Sequence, residues 1–209
     1  YSYWRYSHAP RDDWETGHDY ADWVRSKGHI LGELTGNVEG VPAELHQTTW
    51  CAEKTIEFIQ QEHDKPWLAS VNIYDPHPPF NPPQIYREMF NPAEMPGSLF
   101  RETDLQQQNK LAAVDFQSKC QPPEKLDIRS PIPPRSPLPN IQMESTSLGK
   151  RDAKTLQAAY YAMIKLIDDQ LGRIMEVLEG TRQRQHTVVI FTSDHGEMLG
   201  DHGLVQKGC

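Results

Sequence analysis

TVVIFTSDHGEMLGDHGL, residues 187–204, runs an apolar segment straight into a doubled Asp-His-Gly, Asp194 and Asp201 lying seven residues apart. The run Thr187–Thr192 has strand length, is rich in β-branched and aromatic residues, and shows no polar alternation. That pattern predicts a strand buried on both faces of a parallel sheet. Asp194 and His195 then stand at its carboxyl end, the side on which open α/β sheets bind ligands. A second run, Trp67–Tyr74, ends the same way, in Asp75-Pro-His77. Both Asp/His pairs are expected to face one crevice. Carboxylate oxygen and imidazole nitrogen are common metal ligands, and an adjacent glycine lets backbone and ion approach closely. Lys207 follows within reach of an anionic substrate. Together these residues suggest a metal ion, an anion-binding His and Lys, and an ester whose leaving group needs help.

The two runs are joined by helix. Tyr160, Ile164, Ile167, Leu171, Ile174 and Leu178 recur at steps of four, three, four, three and four, the apolar stripe of a long amphipathic helix starting near Asp152 and stopping at Gly180. Strand, helix and strand at this spacing make a βαβ unit, so the fold class is α/β, with a mostly parallel (mixed) sheet flanked by helices. Upstream, Tyr1–Trp14 reads as loop. A short helix spans His18–Lys27 before Gly28, and another runs from about Pro42 to Glu62, broken by Lys65-Pro66. Asp75–Pro83 holds too many prolines to prolong a strand and must be a stiff loop. About 91–150 reads as a Pro-rich surface excursion, with seven prolines between Pro122 and Pro139.

The chain's 209 residues suffice for one core, and its formal net charge of −8, with 29 acids against 21 Lys and Arg, argues against a nucleic-acid partner. No run approaches the roughly 18 apolar residues of a membrane span, so a soluble chain without one is expected. Cys51, Cys120 and Cys209 show no pairing or C-x-x-C spacing and leave the redox compartment, and hence the localisation, open.

Ser193-Asp-His-Gly-Glu-Met-Leu-Gly-Asp-His-Gly-Leu204 with Lys207-Gly208 closely resembles the C-terminal metal and substrate motif of the sulfatases, within the alkaline phosphatase superfamily. Asn72–Phe80 resembles that family's strand and loop carrying a substrate-binding histidine, and Tyr160–Ile174 its long helix before the metal strand. The resemblance implies an alkaline phosphatase/sulfatase-like fold over the partial catalytic domain 1–209, truncated at both ends. It implies Asp194 and His195 as metal ligands, with His77 and Lys207 as catalytic residues that bind the sulfate oxygens, one of them protonating the leaving group. The implied cofactor is a divalent ion: calcium as in most of the family, with manganese or magnesium open because an imidazole is softer than an amide. The implied partner is a sulfate ester, either a small molecule or a carbohydrate; the oligomeric state is open.

The family nucleophile is a formylglycine made from Cys or Ser in C/S-x-P-x-R, and no such motif occurs here. Cys120-Gln-Pro-Pro-Glu places Glu where Arg belongs, and Asp12-Asp13 lies outside any strand pattern. The expectation is an internal fragment of a sulfuric-ester hydrolase, inactive alone, whose formylglycine belongs to the parent protein. Two alternatives remain: a phosphonate or phosphate ester hydrolase of the same superfamily, and a non-catalytic remnant serving as a binding module. Asp201 and His202 are read mainly as shaping their loop, and Asp168 and Asp169 as helix solvation or packing. The aromatic residues Tyr1, Tyr3, Trp4 and Tyr6 are assigned to ordinary packing.

Overall fold

A computed structural model describes residues 5, 18–35, 40–108, 110, 119–128 and 150–207. The expected N-terminal loop (Arg5 apart), its aromatic cluster, Asp12-Asp13 and the prolines from Pro131 to Pro139 lie outside the described residues. The chain forms two compact units, one within 1–77, 81–87 and 162–190, the other within 78–80, 88–161 and 191–209.

In the first unit, α1 (Asp19–Ser26) follows the sequence expectation. His18 caps it, Nδ1 accepting from the Ala21 amide at 3.4 Å, and Gly28 with φ +86° ends it in the left-handed region. Tyr20, Trp23 and Val24 on its inner face pack with Leu31 of α2 (Leu31–Thr35), Leu45 and Trp50. The Tyr20 hydroxyl donates to the Leu45 carbonyl at 2.9 Å, so the buried phenol is satisfied.

The helix expected over 42–62 is two elements. A 3-10 turn, Ala43–Leu45, precedes α3 (Gln47–Ile59), and the short α4 (Gln84–Arg87) belongs to the same unit. His46 breaks the run because it serves as the cap: its backbone is extended (φ −69°, ψ 146°) and its side chain accepts from the Thr48 amide. Ala52 and Ile59 of α3 pack with Ile174 and Leu178 of α6 (Ala153–Gly180), beside Ile56 and Trp67. The Gln183 amide ties this cluster together. It accepts from Trp67 Nε1 at 3.2 Å and donates to the Ile59 carbonyl at 2.9 Å.

The long helix exists as expected, but its buried face is turned slightly. Leu156, Ala159, Met163, Leu166, Ile174 and Leu178 are buried, whereas Ile164 of the expected stripe is 42% exposed. The helix ends at Gly180 as expected, but Gly180 is not the left-handed residue that closes it. Arg182 takes the left-handed conformation (φ 60°), its amide bonding Glu179 and the Gln183 amide bonding Leu178. These are the two reversed bonds of a Schellman ending, built here without glycine.

The second unit overturns part of the surface-excursion reading. A 3-10 turn, Pro92–Glu94, and α5 (Glu102–Gln108) lie within it, and Asp104, Cys120, Leu126 and Ile128 are buried. β1 (Leu126–Asp127) pairs antiparallel with β2 (Lys150–Arg151), the only sheet among the described residues. The expected parallel sheet is therefore not seen. Trp67–Tyr74 and Thr187–Thr192 form no strand, and Leu68, Val188, Ile190 and Phe191 are 93, 87, 83 and 72% exposed. Apolar pattern selects a segment for burial, but a strand needs a neighbour to complete its ladder. Neither segment has one among the described residues. No described helix is long and apolar enough to cross a membrane.

Candidate active site

Residues 193–197 of the second unit form a loop in which Asp194 is open to solvent, its side chain 85% exposed. Its Oδ1 accepts from the His195 amide at 2.9 Å. His195 Nδ1 lies 3.0 Å from the Gly196 carbonyl. A carbonyl can only accept, so Nδ1 carries the proton, and in the neutral ring Nε2 keeps its lone pair. That Nε2 lies 3.4 Å from Asp194 Oδ2. Two acceptors facing each other at this distance repel unless a proton or a cation lies between them. A Cβ on Gly196 would meet nothing within 4 Å, so space is open beside the pair.

Glu197 turns inward. Its side chain is 3% exposed, Oε1 lies 4.0 Å from Lys207 Nζ, and Oε2 is buried without a hydrogen-bond partner. Burial raises its carboxyl above the ordinary range, and Lys207 and then His195 draw it partly back. Tyr160 is raised too, by burial and then by the negative charges of Glu197 and Asp194. Lys207 thus stands over a buried acid, with part of its positive charge already answered.

The second Asp-His-Gly is built differently. Gly200 (φ +105°) precedes, and Gly203 (φ +73°) closes, a 3-10 turn, Asp201–Gly203. Asp201 Oδ1 accepts from the Leu99 amide at 2.7 Å, and the His202 amide donates to the Leu99 carbonyl at 2.8 Å. His202 Nδ1 lies 3.5 Å from Asp104 Oδ2, and Cys120 Sγ donates to the His202 carbonyl at 3.1 Å. A Cβ on Gly200 would stand 2.7 Å from that of Ala153. This repeat joins segments of the second unit, in keeping with the loop-shaping role expected of it.

His77 belongs to the first unit. Its Nδ1 lies 2.8 Å from the Tyr74 hydroxyl, with the two rings 4.5 Å apart. Asp75 does not face an open crevice as expected. Its side chain is 9% exposed and lies against His46, Nε2 to Oδ2 3.5 Å, with Thr48 Oγ1 donating to the same oxygen at 3.4 Å. Burial raises its carboxyl; His46, Thr48 and His77 oppose the rise.

The sulfatase family profile matches residues 3–208. The chain belongs to the sulfatase family. It is 29% identical to a multifunctional alkaline phosphatase superfamily protein, PehA, of Trinickia caryophylli, over 88% of this chain and 34% of that protein. An arylsulfatase of Clostridium perfringens is 26% identical over 91% of this chain and 37% of its own length. The phosphonate monoester hydrolase of Agrobacterium radiobacter superposes with a TM-score of 0.69 at 30% identity, over 93% of this chain and 39% of that one. The fold is thus that of alkaline phosphatase-like hydrolases, and the chain spans about a third of the length of these curated relatives.

Of the four residues to which the sulfatase motif assigned roles, Asp194 and His195 lie in contact, Lys207 pairs with Glu197, and His77 pairs with Tyr74. Among the described residues no three His, Cys, Asp or Glu side chains converge on a metal-sized site. Sequence reasoning missed Glu197, Tyr160 and His46. Glu197 is a charged residue in a glycine-flanked loop, so nothing local signals its burial. His46 is an uncommon cap, detectable only from the break it makes between two helical turns.

Proposed function

We propose that this sulfatase chain carries part of the active site of a sulfuric-ester hydrolase. Asp194 Oδ2 and His195 Nε2 are its donors for a divalent cation, calcium first and manganese or magnesium next. The single observation carrying this reading is the facing of Nε2 and Oδ2 while Nδ1 is committed to the Gly196 carbonyl. Asp194 and His195 would hold such a cation, and a backbone carbonyl on the other nitrogen is the usual way a ligating imidazole is oriented. The donor set fits a hard or borderline cation and would supply two of the roughly six to eight ligands that calcium takes. When bound, the ion supplies charge to the ester's oxygens. Lys207 and His77 provide the other contacts to those oxygens, and His77 or Lys207 hands a proton to the departing alcohol. The substrate is a small-molecule or carbohydrate sulfate ester.

A second reading, phosphonate monoester hydrolysis, is favoured by the likeness to the Agrobacterium radiobacter enzyme. Both substrates are tetrahedral oxyanion esters, and the same cation, His and Lys serve either. Turnover of nitrophenyl sulfate against nitrophenyl phenylphosphonate by the full-length protein separates them. Faster sulfate turnover, lost in Asp194→Ala, is expected. Faster phosphonate turnover moves the assignment to the second reading, and turnover of neither removes both.

A further inference from the structure

The first unit places a carboxylate, Asp75, where burial is costly. Asp75 is 9% exposed at its side chain and surrounded by Tyr20 and Cys51, whose own acidities it weakens after burial itself. A buried carboxylate disfavours folding unless donors answer it. The donors come from the start of α3. His46 Nδ1 accepts from the Thr48 amide at 3.3 Å, so in the neutral ring the proton sits on Nε2, which faces Asp75 Oδ2. Thr48 Oγ1 reaches the same oxygen. The helix end supplies partial positive charge behind both. One residue thus caps a helix with one nitrogen and holds a carboxylate with the other.

Two positions along the chain stands His77, its Nδ1 2.8 Å from the Tyr74 hydroxyl and its ring near enough to favour the Asp75 carboxylate electrostatically. We propose that Asp75, held by His46 and Thr48 at the N-terminus of α3, is a positioning residue for His77, setting where that imidazole meets the anionic oxygens of the ester. The anchor is rigid because it is tied to a 13-residue helix rather than to the loop itself. The inference rests on the reading that His77 contacts substrate.

The test uses the full-length protein and whichever nitrophenyl ester it turns over faster. Asp75→Asn keeps the shape and removes the charge. His46→Asn keeps a good helix cap and removes the imidazole link. Each is expected to lower kcat by up to roughly a hundredfold with a smaller change in KM. Neither is expected to alter calcium affinity in calorimetry, and Asp75→Asn is expected to leave Tm unchanged or raise it. In a His77→Ala background neither is expected to lower kcat further, because residues that act through one another do not add. A loss as large in that background as in the parent, or no loss in either, overturns the proposal while leaving substrate contact by His77 intact. Full activity of His77→Ala itself overturns the substrate-contact reading, and this inference with it. If Asp75→Asn fails to fold, His46→Asn decides alone.

Discussion

Asp194 and Asp201 each precede His-Gly, and their surroundings decide what each can do. Asp194 is open to solvent beside the Nε2 of His195, whereas Asp201 is committed to the Leu99 amide. Gly196 has room around it, while Gly203 sits at φ +73° with its missing Cβ 2.6 Å from the Gln121 carbonyl. Gly203→Ala is therefore expected to destabilise the protein by about 1–3 kcal/mol, from left-handed backbone and a backbone clash together. Gly196→Ala is expected to leave stability nearly unchanged. Chemical denaturation of the two variants checks this, and equal losses contradict it. Identical tripeptides cannot announce this difference in a sequence, because it comes from Leu99, Asp104 and Cys120, which lie between 82 and 102 residues away along the chain. The doubled acid and imidazole after an apolar run stood out in the sequence, but not which copy is open and which is tied down.

Helix α6 shows what periodicity settles and what it leaves. A stripe repeating every three or four residues fixed the existence of the helix but placed its buried face one position off, since Ala159, Ala162 and Met163 pack as well as larger neighbours. Its start is set by Asp152, whose Oδ1 accepts from the Thr155 amide at 3.0 Å and whose Oδ2 accepts from the Thr155 hydroxyl at 2.7 Å. Burial would raise this carboxyl, but the Thr155 bonds together with neighbouring backbone amides outweigh it and hold it below its ordinary value. A depressed folded pKa means a stabilising contribution that is present above the unfolded value and lost as pH falls through the folded one. Asp152→Ala is expected to cost about 1 kcal/mol at neutral pH and progressively less in acid. A loss unchanged between neutral and acid denaturation curves contradicts the cap.

At the scale of the molecule, the apolar segments 67–74 and 187–192 govern behaviour. Their composition predicted burial on two faces, and composition was right about hydrophobicity. It could not specify neighbours, and without a ladder partner among the described residues Leu68, Val188, Ile190 and Phe191 stand open to water. Contiguous exposed apolar surface of this kind drives association. The 209-residue chain expressed alone is expected to bind hydrophobic dyes and aggregate at micromolar concentration. A monomer in light scattering with a sharp, reversible thermal transition contradicts that expectation. The family and its alkaline phosphatase-like fold were legible from three ordered motifs, while the sheet depended on pairing that no single segment encodes.

The measurement that bears most directly on the proposed site is calorimetric titration of calcium, and then manganese, into the full-length protein, with the double variant Asp194→Ala, His195→Ala as control. One site saturating in the parent and absent from the variant is the expected result. No binding in the parent, or binding of equal strength in the variant, contradicts Asp194 and His195 as residues that would hold a cation.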